Sequence, residues 1–253
     1  MSKERSNIDW IAQERTKIRS NLKFCLNPNC ANQTSKIAWC HTISQRKQLN
    51  VYSGGKCLVY QPHSGHIYKG KTHDFTRVRI SSALTFRGFC EKCDQTLFIN
   101  ADQASGATDE FARQQGLRAI SYRTWDTRFE YQVDIASAKR IGMLSTTLPT
   151  VMSDHPYFGS NRVSEQRYIE LSLERARLAF STNVGLTHHF FELDDDPGFR
   201  ASGALPLTVN LACGPIAIDW ADIHRLPLIV VSVLSVGGVP TLVVSYENLL
   251  KKF

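Results

Sequence analysis

Two pairs of cysteines, Cys25-Leu-Asn-Pro-Asn-Cys30 and Cys90-Glu-Lys-Cys93, carry the clearest chemistry in this 253-residue chain. A tetrahedral zinc ion takes four soft or imidazole ligands, and a tight turn with a cysteine at each end brings two thiolates together at little entropic cost. The Pro28-Asn29 turn inside the first pair suits that geometry. Cys25, Cys30, Cys90 and Cys93 are therefore the expected ligands of one structural Zn2+. The chain has seven cysteines, an odd number, and six fall between residues 25 and 93. In a reducing compartment, close cysteine pairs hold metal more often than they form disulfides. The competing reading is buried free thiols, which is the reading taken for Cys213 in its apolar run.

Between the pairs lies Trp39-Cys40-His41-Thr-Ile-Ser44, followed by the basic segment Gln45-Arg-Lys-Gln-Leu-Asn50, and Asp94 stands immediately after the second pair. This order of paired cysteines, a histidine ending an apolar run, an asparagine and a second pair followed by a polar residue resembles the zinc-stabilised HNH, or ββα-metal, endonucleases. The resemblance covers about residues 25–100. It implies that His41 is a general base activating water, that Asn50 orients it, and that Asp94 helps to hold a catalytic Mg2+ or Mn2+ ion that stabilises charge on the scissile phosphate. Cys40 stands where that family has a metal-binding aspartate, so two alternatives remain open: Cys40 and His41 could share a zinc, or the module could be non-catalytic. The segments Cys40-His41-Thr-Ile43 and Phe89-Cys-Glu-Lys-Cys93-Asp94-Gln-Thr-Leu-Phe98 are also similar to a loosely defined group of bacterial and phage proteins, a likeness that implies a role in antiviral defence.

The charge distribution points the same way. Residues 1–24 hold six Lys/Arg against three acids and residues 25–105 hold ten against four, whereas residues 106–253 hold fourteen against sixteen. An excess of +9 in the first 105 residues, against −2 in the rest, is expected if one part meets a polyanion, because phosphate contacts supply most of the affinity for nucleic acid. A solvated basic surface is the plainer explanation. Arg46, Lys47, Lys69 and Lys71 are the candidate phosphate contacts. Two readings of function follow: a zinc-stabilised nucleic-acid-binding protein with metal-dependent endonuclease activity, and a non-catalytic zinc module that binds nucleic acid or a protein partner.

Other polar groups carry less. His63, His66 and His73 lie in a loop-like stretch with Lys69 and Lys71, where they could complete a metal site or simply face water; the solvated loop is preferred. Thr187-His-His-Phe-Phe-Glu-Leu-Asp-Asp-Asp196 lacks the spacing of a helical zinc site, and Asp-Asp-Pro-Gly is a turn signal, so a surface connection is expected there. No glycine-rich phosphate loop and no Gly-x-Ser-x-Gly elbow occurs.

These groups must be held by a fold of the α+β class. A composition of 42% hydrophobic and 21% charged residues excludes disorder and low complexity. Ile8, Ile11, Ile18 and Leu22 space an amphipathic helix over 6–23 within an N-terminal segment 1–24, with Ser6-x-x-Asp9 at its start. Residues 25–105 read as a small loop-rich module with strands near 56–60 and 75–80, too small to bury much apolar surface without a metal staple. Residues 106–253 read as a helical plus antiparallel β part, with helices over 108–140 and 161–181 and strands near 205–211, 215–218, 228–236 and 239–245. Gly237-Gly238 between the last two predicts a hairpin. The stripes Phe111, Tyr122, Trp125, Phe129, Val133, Ala136 and Ile169, Leu173, Ala176, Phe180 predict core faces. The apolar run from Pro227 to Val244 is too interrupted to span a membrane, and the opening MSKERSNIDW has no signal-peptide core. A cytoplasmic protein without a membrane partner is expected.

Overall fold

A computed structural model of the chain describes residues 3–30, 36–44, 48–49, 56–62, 73–140, 154–155, 158–159, 161–206 and 228–248. Arg46, Lys47, Asn50, Lys69, Lys71, His63, His66 and Cys213 lie outside the described residues, as does the strand expected near 215–218.

The elements mix helices with antiparallel sheets. Helix α1 (Lys3–Asn21) leads into a cysteine-bearing loop. Strand β1 (Ile37–His41) pairs antiparallel with β4 (Thr85–Cys90), and β2 (Lys56–Pro62) pairs with β3 (His73–Arg79). The short helices α2 (Glu91–Leu97) and α3 (Ile99–Gln103) follow β4, then the 32-residue helix α4 (Asp109–Arg140). Two two-residue strands, β5 (Asp154–His155) and β6 (Phe158–Gly159), precede α5 (Asn161–Thr182). The chain closes with β7 (Leu186–Glu192), β8 (Ala201–Pro206), β9 (Leu228–Val236) and β10 (Val239–Glu247), which form one antiparallel sheet in the order β7-β10-β9-β8.

Helix α4 is central to the fold because it packs against α1, α3, α5, β4 and the four strands of the C-terminal sheet. Phe111, Trp125, Phe129 and Val133 are buried, and the facing stripe of α5, Leu173, Ala176 and Phe180, is fully buried. Trp125 also donates its indole N–H to the carbonyl of Leu22 at 3.1 Å, which pins the end of α1 to α4. Residues of α1, of the cysteine module and of the C-terminal sheet enter one core, with Leu22, Phe86, Phe89, Trp125, Phe180 and Val230 among its members. Polar groups stitch the same seams. Gln115 of α4 donates to Thr42 O at 2.9 Å and to Ser202 Oγ at 3.0 Å. Buried Gln48 exchanges two hydrogen bonds, of 2.6 and 2.8 Å, with the backbone of Ser235, a position on β9 beyond the end of its pairing with β8. That anchor fixes the middle of the basic segment 45–50 against the sheet.

The hairpin at Gly237-Gly238 forms with φ of 60° and 90°, the left-handed values that a tight two-residue turn requires. A Cβ on Gly237 would also lie 2.2 Å from the Ser105 carbonyl oxygen, so glycine is needed there twice over.

Residues 186–192 are a strand, β7, where a surface connection was expected from sequence. The two histidines alternate faces along the strand: exposed His189 stacks on Tyr246, and partly buried His188 joins its Nδ1 to Ser245 Oγ at 2.8 Å and meets the ring of Phe180 edge-on. Pairing with β10 satisfies the backbone and overrides the local turn signals, which take effect only after Leu193, where Asp196 accepts from Gly198 N at 2.9 Å. His188 Nε2 is buried and has no hydrogen-bond partner among the described residues. Burial lowers its pKa below the ordinary histidine value. The unfolded chain therefore binds this proton more readily, and the stability His188 contributes is present above about pH 6.5 and lost as pH falls through the lowered folded value. Denaturant midpoints measured from pH 7.5 to 5 should fall more gently for His188→Asn than for wild type; parallel curves would refute a neutral buried His188.

Candidate metal centre

The four cysteines come from three elements. Cys25 and Cys30 sit on the loop after α1, Cys90 is the last residue of β4, and Cys93 lies in the first turn of α2. The loop is laid along β4 by backbone bonds: Phe24 N donates to Arg87 O at 3.4 Å, and Leu26 N to Gly88 O at 2.8 Å. Arg177 of α5 donates to Leu26 O from the other side. Gly88 permits this close approach, since a Cβ there would lie 2.3 Å from the Phe86 ring and 3.1 Å from Leu26.

The result is a cluster whose four sulfurs all lie within 4.8 Å of one another, three of the residues buried and Cys30 partly so. The Cys30 and Cys90 sulfurs are 3.8 Å apart, far beyond disulfide length, and none of the four cysteines is in a disulfide. A tetrahedral ion with metal–sulfur bonds of about 2.3 Å has sulfur–sulfur edges of about 3.8 Å. The four cysteines could therefore hold a metal ion. Thiolates also need donors, and two are in place: Asn27 Nδ2 lies 3.1 Å from Cys93 Sγ, and Cys93 N lies 3.5 Å from Cys90 Sγ. Asn27 is itself fixed by accepting from Asn29 N at 3.0 Å. Without a cation, burial pushes the Cys25 thiol above its ordinary pKa and the Cys93 thiol up to about 12. A bound cation inverts that preference by stabilising the thiolates.

Cys40 stands apart from this cluster. It is buried and its thiol donates to the Phe89 carbonyl oxygen at 3.9 Å. Burial, with the Asp94 charge as a further cause, raises its pKa well above the ordinary range. Cys40 is not one of the four clustered cysteines.

His41, at the end of β1, places Nδ1 2.9 Å from Ala83 O. Since a carbonyl only accepts, the neutral ring carries its proton on Nδ1 and its basic lone pair on Nε2. Asp94, on α2, is near enough for its titration to respond to His41 and to Arg118. Burial raises the Asp94 carboxyl from its ordinary value, and the Cys40 hydrogen bond and the Arg118 charge oppose that rise. Arg118 is buried, sits over the Phe98 ring at 4.4 Å, and grips Asp102 through both terminal nitrogens at 2.9 and 3.0 Å. Of the trio expected from sequence, His41 and Asp94 are described, with the His41 charge the last and smallest of the influences on the Asp94 carboxyl, while Asn50 lies outside the described residues.

Cys40, Asn27 and Arg118 complete the neighbourhood and were not assigned these roles by sequence. Asn27 was legible in principle, because an asparagine two residues into a cysteine loop is a common way to fold a turn back on a thiolate. Arg118 was not, because its partner Asp102 comes from a different helix.

No protein-family model, curated protein or solved structure gives a match to this chain. Among the described residues, no helix is long and apolar enough to cross a membrane.

Proposed function

We propose that the chain is a zinc-stabilised nucleic-acid-binding protein, in which Cys25, Cys30, Cys90 and Cys93 hold one structural Zn2+ and the basic N-terminal part meets phosphates. The observation that carries this reading is the sulfur cluster, with a Cys30–Cys90 separation of 3.8 Å that matches the edge of a zinc–thiolate tetrahedron. All-cysteine coordination favours zinc over hard cations such as Mg2+, which prefer oxygen. Charge supports the nucleic-acid half: the +9 excess lies in the same 105 residues as the four thiols. Elemental analysis of the purified full chain, together with titration of a labelled oligonucleotide at two salt concentrations, tests both halves. A metal-free chain, or one without affinity for nucleic acid, overturns the corresponding half.

A second reading, the HNH-like endonuclease, is favoured by the tautomer and place of His41. With Nδ1 committed to Ala83 O, Nε2 is the nitrogen that would take a proton from water as the water attacks phosphorus and the P–O3′ bond breaks. Asp94 would help to hold a Mg2+ or Mn2+ ion, which supplies stabilisation of the charge that develops on the phosphate. His41→Ala should then abolish plasmid cleavage in the presence of Mg2+ or Mn2+, by 100-fold or more as is usual for removal of a general base (~10²–10⁴). Zinc content and nucleic-acid affinity should change little. No cleavage by wild type with either ion leaves the binding module as the function; loss of zinc in His41→Ala overturns the role given to His41 here.

A further inference from the structure

Trp39 is the one tryptophan on an exposed strand position among the described residues: it is 50% exposed, between buried Ile37 and buried Cys40. The strand register explains its position. Ala38 faces Phe89 and Cys40 faces Phe86, so the two residues Arg87 and Gly88 oppose Trp39 alone. That is a β-bulge, a device that re-aims side chains at the cost of regular pairing. At this bulge the guanidinium of Arg87 lies over the indole, 5.2 Å from the ring centroid. Arg87 is held there by donating from Nη1 to Ser20 O at 3.1 Å, so its plane is fixed by backbone and not by a carboxylate.

Cations surround this pair. Arg19 donates to Thr85 O at 3.0 Å on the same strand as Arg87, and exposed Lys23 precedes Phe24, whose N–H bonds to Arg87 O. Lys36 begins the approach to β1 and pairs with Glu91, both side chains largely exposed, a contact that a phosphate can displace at little cost. A planar, half-open aromatic surface with a fixed guanidinium and a rim of cations fits one class of ligand: an unstacked base with phosphates on either side.

We propose that Trp39 and Arg87 form a base-stacking platform for single-stranded nucleic acid. A base lies on the indole face turned away from Arg87, whose guanidinium backs the ring from the other side, and Arg19, Lys23 and Lys36 receive the adjoining phosphates. Double-stranded nucleic acid, whose bases are already stacked on one another, cannot use this surface. This proposal rests on the nucleic-acid reading above and assigns it a strand form and a contact site.

The test compares a fluorescein-labelled 15-nucleotide oligothymidine with a 15-base-pair duplex of mixed sequence, by anisotropy, on the full chain. Wild type should bind the single strand more tightly, and Trp39→Ala should lose about 10- to 100-fold of that affinity, the range for removing one stacked base. Trp39→Phe should stay within about threefold of wild type, because it keeps a stacking face. Arg87→Lys should lose affinity despite retaining its charge, because the planar group is gone. Unlabelled oligothymidine should also quench tryptophan emission in wild type and much less in Trp39→Phe, a readout that does not depend on Trp39→Ala folding well. Wild-type binding that is indifferent to Trp39→Ala, or equal quenching in Trp39→Phe, overturns the platform and leaves the nucleic-acid reading intact. Absence of binding by wild type to either probe at low salt overturns both.

Discussion

Changing Cys90 to serine should remove the bound metal and, with it, the cooperative fold. Purified wild type is expected to carry about one zinc per chain by elemental analysis, and Cys90→Ser or Cys25→Ser close to none. The expected size of the effect follows from where the thiols sit. Cys25, Cys90 and Cys93 belong to the same core as Phe86, Phe89, Phe98 and Trp125, so loss of the metal perturbs the centre of the molecule and not a detachable flap. Cys90 also ends β4 and starts α2, and its sulfur faces Cys93 N at 3.5 Å, so one substitution disturbs a strand end, a helix start and a ligand at once. Binding of a structural zinc contributes roughly 10–16 kcal/mol in small zinc modules at neutral pH, comparable to or larger than the whole stability of an ordinary domain, about 5–15 kcal/mol. Near-UV circular dichroism and a thermal melt should therefore show loss of a cooperative transition, not a modest shift. Cys40→Ser is the internal control: its thiol is buried but lies outside the four-sulfur cluster, so the variant should keep its zinc. Metal-free wild type, or a Cys90→Ser protein that melts like wild type, would end the zinc reading.

What sequence made legible, and what it did not, divides along the range of the interactions involved. Each cysteine pair, the α4 and α5 stripes and the Gly237-Gly238 hairpin are set by local spacing, and the structure shows buried Trp125 and Phe180 and a tight turn with both glycines at positive φ; that the two pairs, 60 residues apart at Cys30 and Cys90, meet in one sulfur cluster depends on the packing of the loop along β4. Residues 186–192 escaped because Thr-His-His-Phe-Phe-Glu has no clean period of two, and only the partner strand β10, more than fifty residues away, makes it a strand. The same is true of the bulge at Trp39. Its exposure depends on Arg87 and Gly88 of β4, forty-eight residues on, and nothing near Trp39 in sequence announces it. Asp94 was read as a metal ligand from its place after Cys93; the structure adds that it is close enough to Cys40, which occupies the aspartate position of the resembling family, for each to shift the pKa of the other. That proximity is a relation that no spacing rule contains.

Affinity for nucleic acid should fall by about 10³-fold between 50 and 200 mM salt if six phosphates are neutralised, since each contact releases condensed counterions on binding. The quadruple variant Arg46→Ala, Lys47→Ala, Lys69→Ala, Lys71→Ala should bind more weakly at every salt concentration, and the slope of log affinity against log salt should become shallower by about three to four, one unit for each lost contact. The pairing of charges in the fold says why the effect belongs to the N-terminal part. Among the described residues of 106–253, five arginines pair with carboxylates of the same part: Arg113 with Glu110, Arg123 with Asp126, Arg128 with Glu170 and Glu174, Arg175 with Glu247 and Arg200 with Asp196. In the N-terminal part Arg19 and Arg87 donate to the backbone carbonyls of Thr85 and Ser20, contacts that hold the side chain in place without cancelling its charge. If the +9 excess meets phosphates, a screened field is the signature to be measured. The same titration on Arg123→Ala provides the comparison, because that side chain is exposed and already partnered within its own helix, 3.3 Å from Asp126. Equal slopes for the quadruple variant and Arg123→Ala, or wild-type affinity that does not change with salt, would show that the basic excess is a solvated surface and that any partner of this chain is recognised by something other than phosphate.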